Sequence, residues 1–156
     1  MSDFFSVSES EISGLKDKVA IITGGSFGIG FATAKLFLSK GAQVVIADLR
    51  PPKEELPGSL FLQADVTKWR DLKALFKQTL DIHRRIDIVF ANAGVAPRET
   101  FVELMEEGGE LVEPNRMTLD VNLTAATNTV ALGIHYMKKQ KSGGSIVMTS
   151  SAVGMI

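Results

Sequence analysis

The sequence predicts an α/β fold, a doubly wound parallel sheet, from three features. Short runs rich in Val, Ile and Ala alternate with stretches whose apolar residues recur at helical spacing. The joints between them are short, as parallel crossovers require. The first strand-to-helix joint is dense in glycine. With 156 residues, 45% of them hydrophobic, the chain can bury one core and form one domain.

Residues 1–14 are rich in Ser and Glu with few apolar groups, and read as a flexible tail. The folded domain is expected over 15–156. Val19-Ala20-Ile21-Ile22-Thr23 suits a strand covered on both faces. After the glycines, Ile29, Ala32, Thr33, Leu36 and Phe37 mark a helix that Gly41 closes. Val44–Ala47 forms the second strand, ending at Asp48. Pro51, Pro52, Pro57 and Gly58 mark a loop before a third strand, Leu60–Ala64. Thr67 is placed to cap a helix whose apolar face is Trp69, Leu72, Leu75, Phe76, Thr79 and Leu80. Ile86–Ala91 is the fourth strand and runs into Asn92-Ala93-Gly94. Residues 95–113 read as a long loop with at most a helical turn. Pro114 opens a helix to about Lys139, with Leu119, Leu123, Ala126, Val130 and Ile134 on one apolar stripe and Met117, Val121 and Ala125 on another. A sheet covers one stripe, so a partner subunit or burial within the chain is expected to cover the other. Lys138, Lys139 and Lys141 oppose the dipole at its end. Ser145–Thr149, after the Gly143-Gly144 turn, is the fifth strand.

Composition narrows the functions. The 17 Lys+Arg against 18 Asp+Glu leave no basic excess for a phosphate backbone, so no nucleic acid partner is expected. Without cysteine there is no disulfide, thiol nucleophile or zinc-thiolate site. His83 and His135 lie far apart, so no metal site is expected, and both read as helix-surface residues. No apolar run approaches the ~20 residues of a membrane span. The start Met1-Ser2-Asp3-Phe4-Phe5-Ser6 lacks the pattern of a secretory signal, which leaves the cytoplasm as the expected location.

Chemistry concentrates at the strand ends. Gly24, Gly28 and Gly30 are spaced GxxxGxG, which lets backbone turn sharply and approach a diphosphate at a helix N-terminus. Ser26 is expected to add a hydroxyl donor. No Lys follows the glycines as a nucleoside-triphosphate loop needs. Asp48, 18 residues beyond Gly30, can accept both hydrogen bonds of a ribose diol and would repel a 2′-phosphate. Neither Ser26, Phe27 nor Leu49 supplies a cation, although Arg50 is near. NAD is therefore favoured over NADP.

Four signatures, Thr23-Gly24-Gly25-Ser26-Phe27-Gly28-Ile29-Gly30, Asp65-Val66, Asn92-Ala93-Gly94 and Ser150-Ser151, stand in an order and spacing that resembles the short-chain dehydrogenase/reductase family over about residues 15–156. The resemblance implies a Rossmann fold that binds NAD and interconverts a secondary alcohol and a ketone of a small-molecule substrate. It implies that Gly24, Ser26, Phe27, Gly28, Ile29 and Gly30 form the phosphate loop and that Asp48 and Leu49 flank the ribose. Asp65 and Val66 would meet the adenine edge. Asn92, Ala93 and Gly94 would pass beneath the cofactor, Asn92 bracing neighbouring strands; Ala91 stands where the family usually has another Asn. Asn122 falls where the family binds a water in a proton relay, with a solvent-facing Asn as the alternative. Ser151 matches the serine that hydrogen-bonds the substrate oxygen. No GxSxG elbow surrounds it, which argues against a serine hydrolase. Homo-oligomers are the family habit, here through the helix 114–139.

The family's Tyr-x-x-x-Lys pair is missing. Tyr136, the sole tyrosine, is followed four residues on by Gln140 and is no substitute. Hydride transfer must be matched by proton transfer at the substrate oxygen, which Ser151 alone cannot supply. The 156 residues are therefore expected to be a truncated, poorly active form whose sheet lacks its C-terminal part. The alternative is a non-catalytic dinucleotide-binding module or partner subunit. A methyltransferase-type domain would share the alternation but would leave Asn92-Ala93-Gly94 and Ser150-Ser151 unexplained.

Overall fold

The computed structural model describes residues 8, 11–96, 106–111, 113 and 115–151. Five strands, β1 (Val19–Thr23), β2 (Gln43–Asp48), β3 (Ser59–Gln63), β4 (Ile88–Ala91) and β7 (Ser145–Met148), form one sheet of order β3-β2-β1-β4-β7. Every neighbouring pair is parallel. Helix α1 (Gly28–Ser39) lies on one face; α2 (Trp69–His83) and α4 (Ala126–Lys139) lie on the other. The sheet is doubly wound.

Alternation along β1 explains the two cores. Ile21 points to the α2/α4 side with Val45, Leu72, Leu75, Phe76, Val89, Leu132 and Met137. Ile22 points the other way, with Ala34, Val44, Ile46 and the partly buried Phe37 and Leu38. A strand buried on both faces has no polar face, which is why these runs read as continuous apolar sequence.

Several expectations need correction. The buried face of α1 centres on Gly30 and Ala34, while Ile29 is exposed. Small residues there let the helix lie close to the sheet. Thr67 does not cap α2: Lys68 holds that position without a side-chain bond, and Thr67 turns back to Asp65. Trp69 is half exposed, outside the buried face of Leu72, Leu75, Phe76 and Thr79. The loop after β4 contains a hairpin, β5 (Glu106–Glu107) with β6 (Glu110–Leu111), turned through Gly108 and Gly109 at φ 62° and 83°. Positive φ at both central residues is the type I′ requirement that glycine meets.

Pro114 lies outside the described residues. The helix that follows begins with α3 (Met117–Leu119), passes through a π segment (Asp120–Ala125) and continues as α4. A π turn inserts one residue, so apolar spacing counted across it slips out of phase. Accordingly Met117, Leu119, Leu123 and Ile134 are exposed, and the face on the sheet is Ala125, Thr129, Leu132, Gly133 and Met137. A Cβ on Gly133 would stand 3.0 Å from Ile146 Cδ1, so the glycine sets the approach of helix to sheet. Among the described residues, no helix is long and apolar enough to cross a membrane.

Candidate functional site

In an open parallel sheet the crevice forms at the carboxyl ends where strand order reverses. Here that point lies between β1 and β4, and the glycine loop, the exits of β2 and β3 and Asn92–Gly94 converge on it. They enclose a cleft of roughly 340 Å³. Its wall includes Gly24, Phe27, Gly28, Ile29, Asp48, Leu49, Asp65, Val66, Asn92, Ala93 and Gly94, and it is completed by Val95, Val121 and Thr149. Ser26, Gly30, Asn122 and Ser151 are not among these lining residues.

The glycines serve different ends. A Cβ on Gly24 (φ 63°) would meet Ala93 Cα at 2.7 Å, and one on Gly30 would meet Gly24 O at 2.3 Å. Both are excluded by neighbouring backbone. Gly28 (φ 57°) has nothing within 4 Å of where its Cβ would stand. Phe27, at the N-cap of α1, makes no side-chain cap bond, and no acidic residue occupies the first turn. An anion near Gly28 would thus meet uncapped helix amides and the positive dipole end. This cradle fits a diphosphate.

Ser26 departs from expectation. Its hydroxyl donates to Arg50 O at 2.6 Å, and its amide donates to Asp48 Oδ2 at 3.1 Å. The hydroxyl therefore holds the exit of β2 and is not turned to a phosphate. Asp48 Oδ1 accepts the Leu49 amide at 2.7 Å, so each carboxylate oxygen carries one main-chain donor. Asp65 Oδ1 accepts both the hydroxyl (2.6 Å) and the amide (3.1 Å) of Thr67, with Lys68 Nζ 3.1 Å from Oδ2. The Thr67 hydroxyl, aided by Lys68 against a smaller effect of burial, holds the Asp65 carboxyl below the usual carboxylate range.

Asn92 joins three strand ends. Its Nδ2 donates to Thr23 O (3.2 Å) and Gly24 O (3.1 Å), while its Oδ1 accepts the Thr149 hydroxyl at 2.9 Å. The Thr23 hydroxyl accepts the amides of Asn92 and Ala93. Asn122, in the π segment, pairs with the main chain of one residue: Oδ1 accepts Val95 N and Nδ2 donates to Val95 O, each at 2.8 Å. Its side chain is thus engaged with main chain and not simply solvated. Thr149 N donates to Ala91 O at 3.1 Å, extending the ladder toward the exposed Ser150 and Ser151.

Sequence reasoning missed Thr149, Val95 and Val121. Thr149 sits directly before Ser150-Ser151, and its polar side chain at the end of an apolar strand was the available signal. Tyr136 stacks on Phe76 at a centroid distance of 5.6 Å within the α2/α4 core, so it is no surrogate acid/base. His83 is not the plain surface residue expected. Its Nδ1 lies 2.5 Å from Gln43 Oε1, and its buried Nε2 has no hydrogen-bond partner among the described residues. Burial lowers its pKa.

Known proteins share this arrangement. A family model described as short chain dehydrogenase matches residues 18–156. The chain is 46% identical over 155 residues to the short-chain dehydrogenase/reductase ascJ of Acremonium egyptiacum, covering 96% of this chain and 52% of that protein. It is 38% identical over 144 residues to L-fucose dehydrogenase of Mus musculus, covering 89% of this chain and 50% of that one. A short-chain type dehydrogenase/reductase from Mycobacterium marinum superposes with TM-score 0.80 at 26% identity, over 96% of this chain and 60% of that chain. The 3-ketoacyl-(acyl-carrier-protein) reductase from Brucella melitensis, complexed with NADH, gives TM-score 0.74 at 26% identity, over 88% and 58%. The chain belongs to the short chain dehydrogenase family of oxidoreductases. It spans about half the length of the curated relatives it matches.

Proposed function

We propose that this chain is the dinucleotide-binding part of an oxidoreductase that interconverts a secondary alcohol and a ketone, with NAD preferred to NADP. One observation carries the reading: the open face of Gly28, the uncapped start of α1 and the Asp48 carboxylate converge on a single cleft. Main-chain amides around Gly28 hold the diphosphate. Each Asp48 oxygen accepts one amide and keeps acceptor capacity for a ribose hydroxyl, while its charge disfavours a 2′-phosphate. Leu49, Phe27 and Ile29 are exposed apolar side chains on the cleft wall and offer packing surface to the bases. Asp65 and Val66 meet the adenine edge, and Asn92, Ala93 and Gly94 form the floor.

The nicotinamide, when bound, supplies or takes the hydride. Ser151 donates a hydrogen bond to the substrate oxygen, and Asn122 holds Val95 at the substrate side of the cleft. The Tyr-x-x-x-Lys pair that would move the proton is absent from these 156 residues. Leu119, Leu123 and Ile134, exposed on the long helix, support pairing with a second copy. The test is paired. Purified chain titrated with NADH should show saturable fluorescence enhancement, yet give no NAD-linked turnover of secondary alcohols. Turnover by the chain alone would overturn the second half of the reading; no binding at millimolar NADH would overturn the first.

A further inference from the structure

The phosphate loop is tied to the exit of β2 at three successive points. Gly24 N donates to Ala47 O at 2.8 Å, Ser26 N to Asp48 Oδ2 at 3.1 Å, and Ser26 Oγ to Arg50 O at 2.6 Å. Only the last depends on a side chain of the loop. We propose that Ser26 is a positioning residue for cofactor selectivity, clipping the main chain at Arg50 so that the Asp48 carboxylate is held facing the ribose. This inference rests on the dinucleotide reading and deepens it.

The physical argument begins with freedom. Asp48 is the last residue of β2, and Leu49 and Arg50 leave the sheet ladder. Fastening Arg50 O to Ser26 fixes both sides of the aspartate: its own strand before it and the loop after it. A carboxylate held by the Ser26 and Leu49 amides needs no rearrangement to accept two hydroxyls, so the ordering cost on binding falls. The same fixing keeps a negative charge where a 2′-phosphate would have to sit. Without the clip, Leu49 O still accepts Gln63 Nε2 at 3.0 Å, but Arg50 loses its main-chain tie to the loop, and this nearest cation along the chain is no longer confined. Affinity for the plain ribose should fall while discrimination against the phosphorylated one relaxes.

The experiment compares NADH and NADPH dissociation constants by fluorescence titration of the purified chain and its Ser26→Ala and Ser26→Thr variants. Ser26→Ala should weaken NADH roughly three- to tenfold, the range for one lost hydrogen bond, and leave NADPH within about twofold. The preference for NADH thus shrinks, and Ser26→Thr restores it. In an Asp48→Ala background the same Ser26→Ala change should cost less than about twofold, because there is no carboxylate left to position. Amide exchange offers a readout without cofactor: the Leu49 amide should exchange faster in Ser26→Ala, and wild-type exchange there would overturn the clip itself. Equal weakening of NADH and NADPH would also overturn the proposal, since it would make the hydroxyl a direct phosphate ligand. Wild-type chain that binds neither dinucleotide would instead overturn the underlying reading of the site.

Discussion

The two ends of the parallel sheet each hold an aspartate, and the molecule uses them differently. At the amino end, Asp87 is 6% exposed and bonded within the chain: it accepts Val19 N at 2.9 Å and both arms of the Arg85 fork at 2.7 and 2.6 Å, with Lys18 at 4.0 Å. Burial pushes this carboxyl upward, but the Arg85 fork, the Val19 amide and Lys18 outweigh it and hold the pKa below the usual range. Gln140 closes the same end, bonding Ile86 N, Ile86 O and Gly143 O. At the carboxyl end, the Asp48 carboxylate accepts, among the described residues, only the Ser26 and Leu49 amides. Phe27, at 71% exposure, and Leu49, at 58%, stand beside it. At the amino end the carboxylate is taken up by partners within the chain, even where it borders a cleft of roughly 330 Å³ with Lys18 and Ser145; at the carboxyl end Asp48 keeps acceptor capacity beside exposed apolar surface. Phe27 and Leu49, left exposed, add nothing to the core, which supports the proposed dinucleotide reading of the carboxyl end.

The contrast can be broken by substitution, beginning with the largest effect. Gly30→Ala should lower stability by about 3 kcal/mol, because its Cβ overlaps backbone that cannot yield; the urea midpoint measures it. Asp87→Ala should cost about 2–3 kcal/mol, through the buried Val19 amide and the Arg85 fork left unpaired. In that variant NADH affinity of the folded protein should stay within about twofold, because the two ends share no partner. Gly28→Ala should reverse the pattern. Strain at positive φ costs about 1 kcal/mol, while a methyl group in the cradle weakens NADH by tenfold or more, about 1.4 kcal/mol. Equal stability losses at Gly28 and Gly30 would erase the distinction between a cradle glycine and a packing glycine.

Acid supplies a subtler probe. A carboxyl whose folded pKa lies below its unfolded value, roughly 3.9 for Asp, contributes stability above that value. The contribution is lost as pH falls through the folded pKa. Asp87 is lowered in this way, so Asp87→Asn should flatten the fall in stability below about pH 4. Thermal melts between pH 2 and 7 read the slope. An unchanged slope would mean that the amino-end cluster does not carry this linkage.

Much of the fold is legible in the amino-acid sequence. Val19–Thr23 and Val44–Ala47 read as buried strands because both faces are covered, and composition alone records that. Gly24, Gly28 and Asp48 read as neighbours because a strand–turn–helix unit brings them to one edge of the sheet, and they line one cleft. What did not read through depends on single-residue phase or on contacts distant in sequence. The π segment adds one residue without changing composition, so spacing alone does not tell which of the two stripes meets the sheet; Ala125 does, and Leu119 and Leu123 are exposed. Gly108-Gly109 carried a turn signal, but strands of two residues leave no alternation to count. The Ser26–Arg50 bond spans 24 positions and has no local trace at all.

Amide chemical-shift mapping on isotope-labelled chain titrated with NADH tests the contrast between the sheet's ends most directly. Resonances of Gly28, Ile29, Leu49 and Gly94 should move with one saturable curve while those of Val19, Asp87 and Gly144 stay still. Shifts concentrated around Asp87 and Gly144, or none anywhere at millimolar NADH, would contradict the account.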